Sequence, residues 1–185
     1  EKYHEHILFN PDYLNFMRNF KVIRMMNISG ITRNEVTSWN ALPRMEQATW
    51  AGSEGRRGVP LEVMVALANQ IGADPWFNMP HMADDEYVRN FATYVRESLD
   101  PRLMAYVEYS NEVWNPGFAA HNYSIAKGKE LNLDVVPTEY ADSVNRDADY
   151  FARLNYYSKR AEEIFILWKS EFSSASDTRL VRVLG

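Results

Sequence analysis

Apolar residues recur along this chain at two spacings, and the alternation between them lays out its elements. Between Pro60 and Gly72, the residues Leu61, Met64, Val65, Ala68 and Ile71 fall on one stripe of a helix, with a proline at its start and a glycine at its stop. Tyr87, Phe91 and Val95, flanked by Val88, Ala92 and Leu99, repeat that period until Asp100-Pro101 ends it. Asp84-Asp85-Glu86 stand just ahead and suit a helix N-terminus, where carboxylates cap free N–H groups and meet the positive end of the dipole. The longest periodic stretch runs from Ala148 to about Trp168 through Phe151, Leu154, Ala161, Ile164, Phe165 and Trp168. Its other face carries Arg153, Lys159, Arg160, Glu162 and Glu163, a mixed pattern typical of a solvated surface. Two shorter helices are predicted. One follows Asn10-Pro11-Asp12, with Tyr13, Phe16, Met17 and Phe20 on its apolar face, and the other runs from Gly117 to about Lys127.

Four short apolar runs between these helices have no helical period and read as strands, near residues 22–27, 75–79, 104–110 and 180–184. Strands separated by helices imply parallel pairing through right-handed crossovers, hence an α/β fold. Residues 28–59 form a long polar connection whose Gly52–Gly58 end looks mobile, and connections of this length inside a compact domain usually serve a function or are disordered. Residues 128–147 are irregular, and Ser173–Asp177 is a turn or short linker.

Composition narrows the classes. The 185 residues suffice for a single domain with a core, and the hydrophobic share of 46% fits a globular protein. A net charge of −5 gives no reason to expect nucleic acid or an anionic membrane as partner. The absence of cysteine removes disulfides, thiolate metal sites and a cysteine nucleophile. No apolar run is long enough to span a bilayer. His4-Glu5-His6 alternates as a metal site might, but its terminal position reads as a frayed or tag-like end, so no metal is expected, nor any cofactor. With neither an initiator Met nor a signal peptide, the chain reads as mature, trimmed or excised from something longer. Phosphate-binding glycine loops, a Gly-x-Ser-x-Gly elbow and His-Glu-x-x-His are all missing.

The most informative stretch is Met104 to Pro116. Its apolar first half ends in Ser110-Asn111-Glu112, and Pro116-Gly117 breaks the pattern. A carboxylate where a buried strand meets a loop is costly unless it has partners or a task. Trp114 offers a flat apolar wall beside Glu112, and a partly dry wall favours the protonated form that an acid catalyst needs. The segment Tyr109-Ser110-Asn111-Glu112-Val113-Trp114-Asn115 resembles the end of the fourth strand in clan A glycoside hydrolases, which are (β/α)8 barrels. The resemblance implies that Glu112 is the general acid/base and that Asn111 binds the sugar 2-hydroxyl. It makes the strands two to five of a partial TIM barrel, a length that agrees with a fragment because full barrels need about 250 residues. The chain is then one domain, residues 1–185, from a larger barrel.

Other residues take roles relative to that stretch. Arg24 interrupts the first strand and must find a carboxylate or reach solvent. Glu108 shares parity with Glu112, and an Arg24–Glu108 pair is expected if the two strands fill a common interior layer. The resemblance suggests that Arg24 orients the catalytic carboxylates, though a salt bridge that only holds the structure satisfies the residues equally. His81, directly after the second run, is a candidate donor to a substrate hydroxyl, or else a satisfied loop histidine. Trp39 and Trp50 in the long connection are candidate sugar platforms alongside Trp114, or anchors of their own loop. In the clan the nucleophile is a Glu ending strand seven, which has no counterpart in this sequence. The expected function is therefore part of a retaining hydrolase of β-linked polysaccharide or oligosaccharide, inactive unless the parent chain supplies the nucleophile. The alternatives are a non-catalytic carbohydrate-binding protein and an α/β scaffold with no sugar site. Expected partners are a carbohydrate substrate and either the rest of the barrel or a second copy covering the sheet edges. The expected location is secreted or periplasmic.

Overall fold

The structure, a computed structural model, describes residues 7–47, 49–50 and 56–185. His4 and His6 and most of the Gly52–Gly58 segment fall outside them. The chain is an α/β domain built on four parallel strands: β1 (Val22–Arg24), β2 (Asp74–Met79), β3 (Ala105–Tyr109) and β4 (Leu180–Val183). Their order in the sheet follows their order in the chain. Helix α1 (Pro11–Met17) precedes β1, α2 (Leu61–Ile71) leads into β2, α3 (Asp85–Ser98) connects β2 to β3, and α4 (Ala119–Glu130) and α5 (Ala148–Phe172) connect β3 to β4. A short helix α6 (Ser176–Arg179) turns the chain into β4 where the sequence suggested only a linker.

Local chemistry explains the helix ends. Asn10 caps α1 through its side chain, Asp84 accepts the Tyr87 N–H at the start of α3, and Asp147 does the same for Tyr150 in α5. Gly72 closes α2 in the left-handed conformation (φ 69°), which costs glycine little. At Gly128 in α4 a Cβ would meet the Ala152 carbonyl of α5, so a glycine is what allows the two helices to approach this closely.

The two faces of the sheet differ. Ile23, Phe77, Met79, Val107 and Tyr109 point into the core beneath the helices, where Phe77, Phe91 and Trp168 pack edge-on or tilted at centroid distances of 5.3–6.2 Å. Registers Arg24↔Trp76, Trp76↔Tyr106 and Asn78↔Glu108 place those residues on the opposite face. Trp76 and Tyr106 are only partly buried there and stack on each other, with ring centroids 6.1 Å apart. Among the described residues, β1 and β4 each pair on one side only, so the sheet is open.

Three expectations need correction. β1, β3 and β4 are shorter than the apolar runs, most of all β1, which stops at Arg24 because the chain turns at Met26–Gly30, whereas β2 begins one residue earlier than its run. The apolar face of α1 is largely uncovered: Phe16 is 65% exposed, and Tyr13 and Phe20 are exposed with it. The connection from 28 to 59, read as polar, contributes Ile31, Val36 and Leu42 to the buried interior, none more than 3% exposed. It folds back through Asn34, whose side-chain amide donates to the Ser29 carbonyl at 3.0 Å and whose carbonyl accepts the Val36 N–H at 2.8 Å. Among the described residues no helix is long and apolar enough to cross a membrane.

Candidate functional site

Glu108 is the centre of the open face. It is 2% exposed, and its Oε2 accepts from Arg24 Nη2 at 2.7 Å, Asn78 Nδ2 at 2.7 Å and Trp76 Nε1 at 2.9 Å. A carboxylate this deep needs such partners, because an unpaired charge in a poorly solvated site costs several kcal/mol, roughly, after relaxation. Arg24 comes from β1, Trp76 and Asn78 from β2 and Glu108 from β3, so the network exists only once three strands are in register. The Arg24 guanidinium also lies 4.9 Å above the Trp76 ring. On the other side of Glu108, a Cβ at Gly185 would come within 2.5 Å of Oε1, so backbone shields that oxygen. The Gly185 N–H donates to the Tyr157 hydroxyl at 2.8 Å. Burial raises the Tyr157 phenol above its ordinary value and the Glu108 charge adds to this, while the Gly185 N–H opposes it.

Arg24 Nη2 makes a second bond, to Asn111 Oδ1 at 3.0 Å. Asn111 is 4% exposed and sits just past the carboxyl end of β3. Ser110 before it and Glu112 after it both adopt positive φ, 59° and 43°. A residue with a Cβ pays about 1–2 kcal/mol in this region. Two such residues around one buried Asn mark a turn held in shape by its surroundings. The holding contacts are on hand: Asn78 Nδ2 donates to the Ser110 carbonyl at 2.8 Å, and the Ser110 N–H donates to the Met79 carbonyl at 2.9 Å.

Glu112 is exposed, and its Oε2 accepts from Asn115 Nδ2 at 3.0 Å. The semi-dry wall expected from Trp114 does not form, since that ring is 58% exposed; Val113, not Trp114, turns inward. A cavity of about 90 Å³ opens beside them, lined by Val113, Trp114, Arg153, Leu154, Tyr157 and Gly185.

The remaining candidates lie elsewhere. His81 is 3% exposed after β2, its ring edge-on to Tyr123 at 5.1 Å and its carbonyl accepting from the Tyr109 hydroxyl at 3.1 Å. Its Nδ1 is buried without a partner among the described residues. Burial holds the imidazole below its ordinary value, and the Glu35 carboxylate works against this. Trp39 packs edge-on against Tyr87 at 6.2 Å, with the Arg44 guanidinium 4.7 Å above its ring, and the Trp50 N–H donates to the Arg44 carbonyl at 3.1 Å. These contacts are those of loop anchors. Among the described residues no cluster of His, Cys, Asp or Glu has the makings of a metal site.

The Arg24–Glu108 pair expected from strand parity is present. Trp76 and Asn78 were not anticipated, although the same parity on β2 would have singled them out, because Asn78 lies opposite Glu108 and Trp76 shares its face of the sheet. Comparison with protein-family models, with curated proteins and with solved structures returned no match.

Proposed function

We propose that this chain supplies about strands two to five of a (β/α)8 barrel of a retaining glycoside hydrolase acting on β-linked polysaccharide or oligosaccharide, with Glu112 as general acid/base. The observation that carries the reading is the strained Ser110–Glu112 turn at the carboxyl end of a parallel strand, tied through Asn111 and Arg24 to a buried carboxylate. Catalytic groups of such barrels stand at the carboxyl ends of their strands. A sheet whose strand order follows the chain, with core on one face and half-buried Trp76 and Tyr106 on the other, suits a barrel wall, whose inner face is filled on closure.

Each residue has a defined task in this reading. Arg24 occupies Asn111 Oδ1 and so leaves the Asn111 Nδ2 hydrogens to donate to a sugar hydroxyl. Glu108 keeps Arg24 in place and is neutralised by it. Glu112 gives its proton to the departing glycosidic oxygen and then takes one from water. Retention needs a second carboxylate about 5–5.5 Å away as nucleophile, and the rest of the barrel provides it. Trp114 offers a ring to the apolar face of a pyranose. The protein acts outside the cytoplasm, where such polymers are met.

One observation favours a second reading, a carbohydrate-binding protein without turnover: Glu112 is exposed and already bonded to Asn115. Glu112→Gln separates the two. Loss of turnover with saccharide binding kept supports the hydrolase. An intact parent protein that binds saccharide and hydrolyses none supports the binder.

A further inference from the structure

The cavity beside Trp114 differs from a plain aromatic platform in carrying a cation. In α5, Lys159 and Arg160 pair with Glu163, and Arg160 also with Asp85. Arg153 lines the cavity, makes no ion pair among the described residues, and has its guanidinium 5.5 Å from the Tyr150 ring centroid. The neighbouring carboxylates are otherwise engaged, Glu108 by Arg24, Asn78 and Trp76, and Glu112 by Asn115. Trp114 (58% exposed) and Leu154 (40% exposed) offer apolar surface on the same wall.

We propose that this cavity is a subsite for an anionic sugar, a uronate residue of the glycan, stacked on Trp114 and held through its carboxylate by Arg153. The inference rests on the reading of Glu112 as the acid of a glycan-cleaving site and narrows its substrate class. A guanidinium fork matches a carboxylate in two parallel hydrogen bonds, which a neutral sugar does not provide. The chain itself carries a net charge of −5, so at long range it repels an acidic glycan. Any preference for acidic sugar must therefore come from a local cation.

Isothermal titration of the chain with a β-linked tetrasaccharide bearing one glucuronate, and with its neutral glucose counterpart, tests this. The acidic sugar binds about five- to tenfold more tightly at low salt, and the gap shrinks as salt rises from about 0.05 to about 0.5 M. Arg153→Gln removes or reverses the preference while leaving the neutral sugar's affinity within about twofold, and Arg153→Lys restores part of it. Trp114→Ala weakens both sugars. Circular dichroism of each variant confirms that α5 is intact. Equal binding of the two sugars by the native chain, or a preference that survives Arg153→Gln, overturns the anionic subsite and leaves the hydrolase reading standing. No binding of either sugar overturns the subsite, and the hydrolase reading is then decided by turnover in the joined polypeptide.

Discussion

Replacing Arg24 with Met removes the one cation bonded to Glu108 among the described residues and keeps most of the side chain's length. Two bonds disappear, to Glu108 Oε2 at 2.7 Å and to Asn111 Oδ1 at 3.0 Å. The Glu108 side chain is 3% exposed, and among the described residues Asn78 and Trp76 are the donors that remain to it. Breaking a fully buried pair costs about 3–5 kcal/mol. The Arg24 side chain is 33% exposed and part of its interaction is screened by solvent, so we expect about 2–4 kcal/mol here. Urea unfolding of the native chain, Arg24→Met, Glu108→Gln and the double variant measures this as a cycle. The expected coupling is at least about 1.5 kcal/mol, with unchanged urea dependence. A loss below about 0.5 kcal/mol for Arg24→Met, or a coupling near zero, would refute the idea that this face is organised around a buried charge pair.

Other consequences are equally concrete. Ser110→Gly relieves a left-handed backbone position, φ 59°. Its midpoint of unfolding should rise by the equivalent of about 0.5–1 kcal/mol, the relief less glycine's extra unfolded-state entropy; a fall in stability contradicts the strain argument. Gly128→Ala drives a methyl into the Ala152 backbone. A loss of about 2–3 kcal/mol is expected in thermal melts, and an unchanged melting temperature would mean that α4 and α5 are not so close. Burial holds the His81 imidazole below its ordinary value of 6.5, so the unfolded chain binds that proton first as pH falls. The stability this confers is complete above about pH 6.5 and is lost as pH drops toward the folded-state value. Urea midpoints at about pH 7 and about pH 5 should therefore differ, and His81→Asn should narrow the difference. No narrowing would mean that His81 is not the group responsible.

The helices were legible because their burial is periodic. The stripe of α2 and the cap and stripe of α3 are written in consecutive turns, and the structure follows them within a residue or two. The Arg24–Glu108 pair was legible for a similar reason: strand parity and the cost of a buried charge leave few options. The segment from 28 to 59 was not legible. Val36 and Leu42 are buried in one cluster with residues of α2, α3 and the strands, Ile31 is buried as well, and no local period announces that. The environment of Glu112 was also beyond reach. Whether Trp114 covers it depends on a side chain's direction after a turn with two positive φ angles, and sequence patterns carry no information on that. The uncovered rings of α1 show the limit from the other side, because amphipathic spacing states which face is apolar and not what lies against it.

The most direct test of the central claim is a leaving-group comparison in a polypeptide that joins this chain to the rest of its barrel. A β-linked oligosaccharide and the matching dinitrophenyl glycoside are hydrolysed by the native protein and by Glu112→Gln. If Glu112 donates the proton, the substitution slows cleavage of the oligosaccharide by about 10²–10⁴-fold. It affects formation of the glycosyl-enzyme from the dinitrophenyl glycoside far less, because that leaving group departs without a proton. Equal slowing of both substrates, or no slowing of the oligosaccharide, would contradict the assignment.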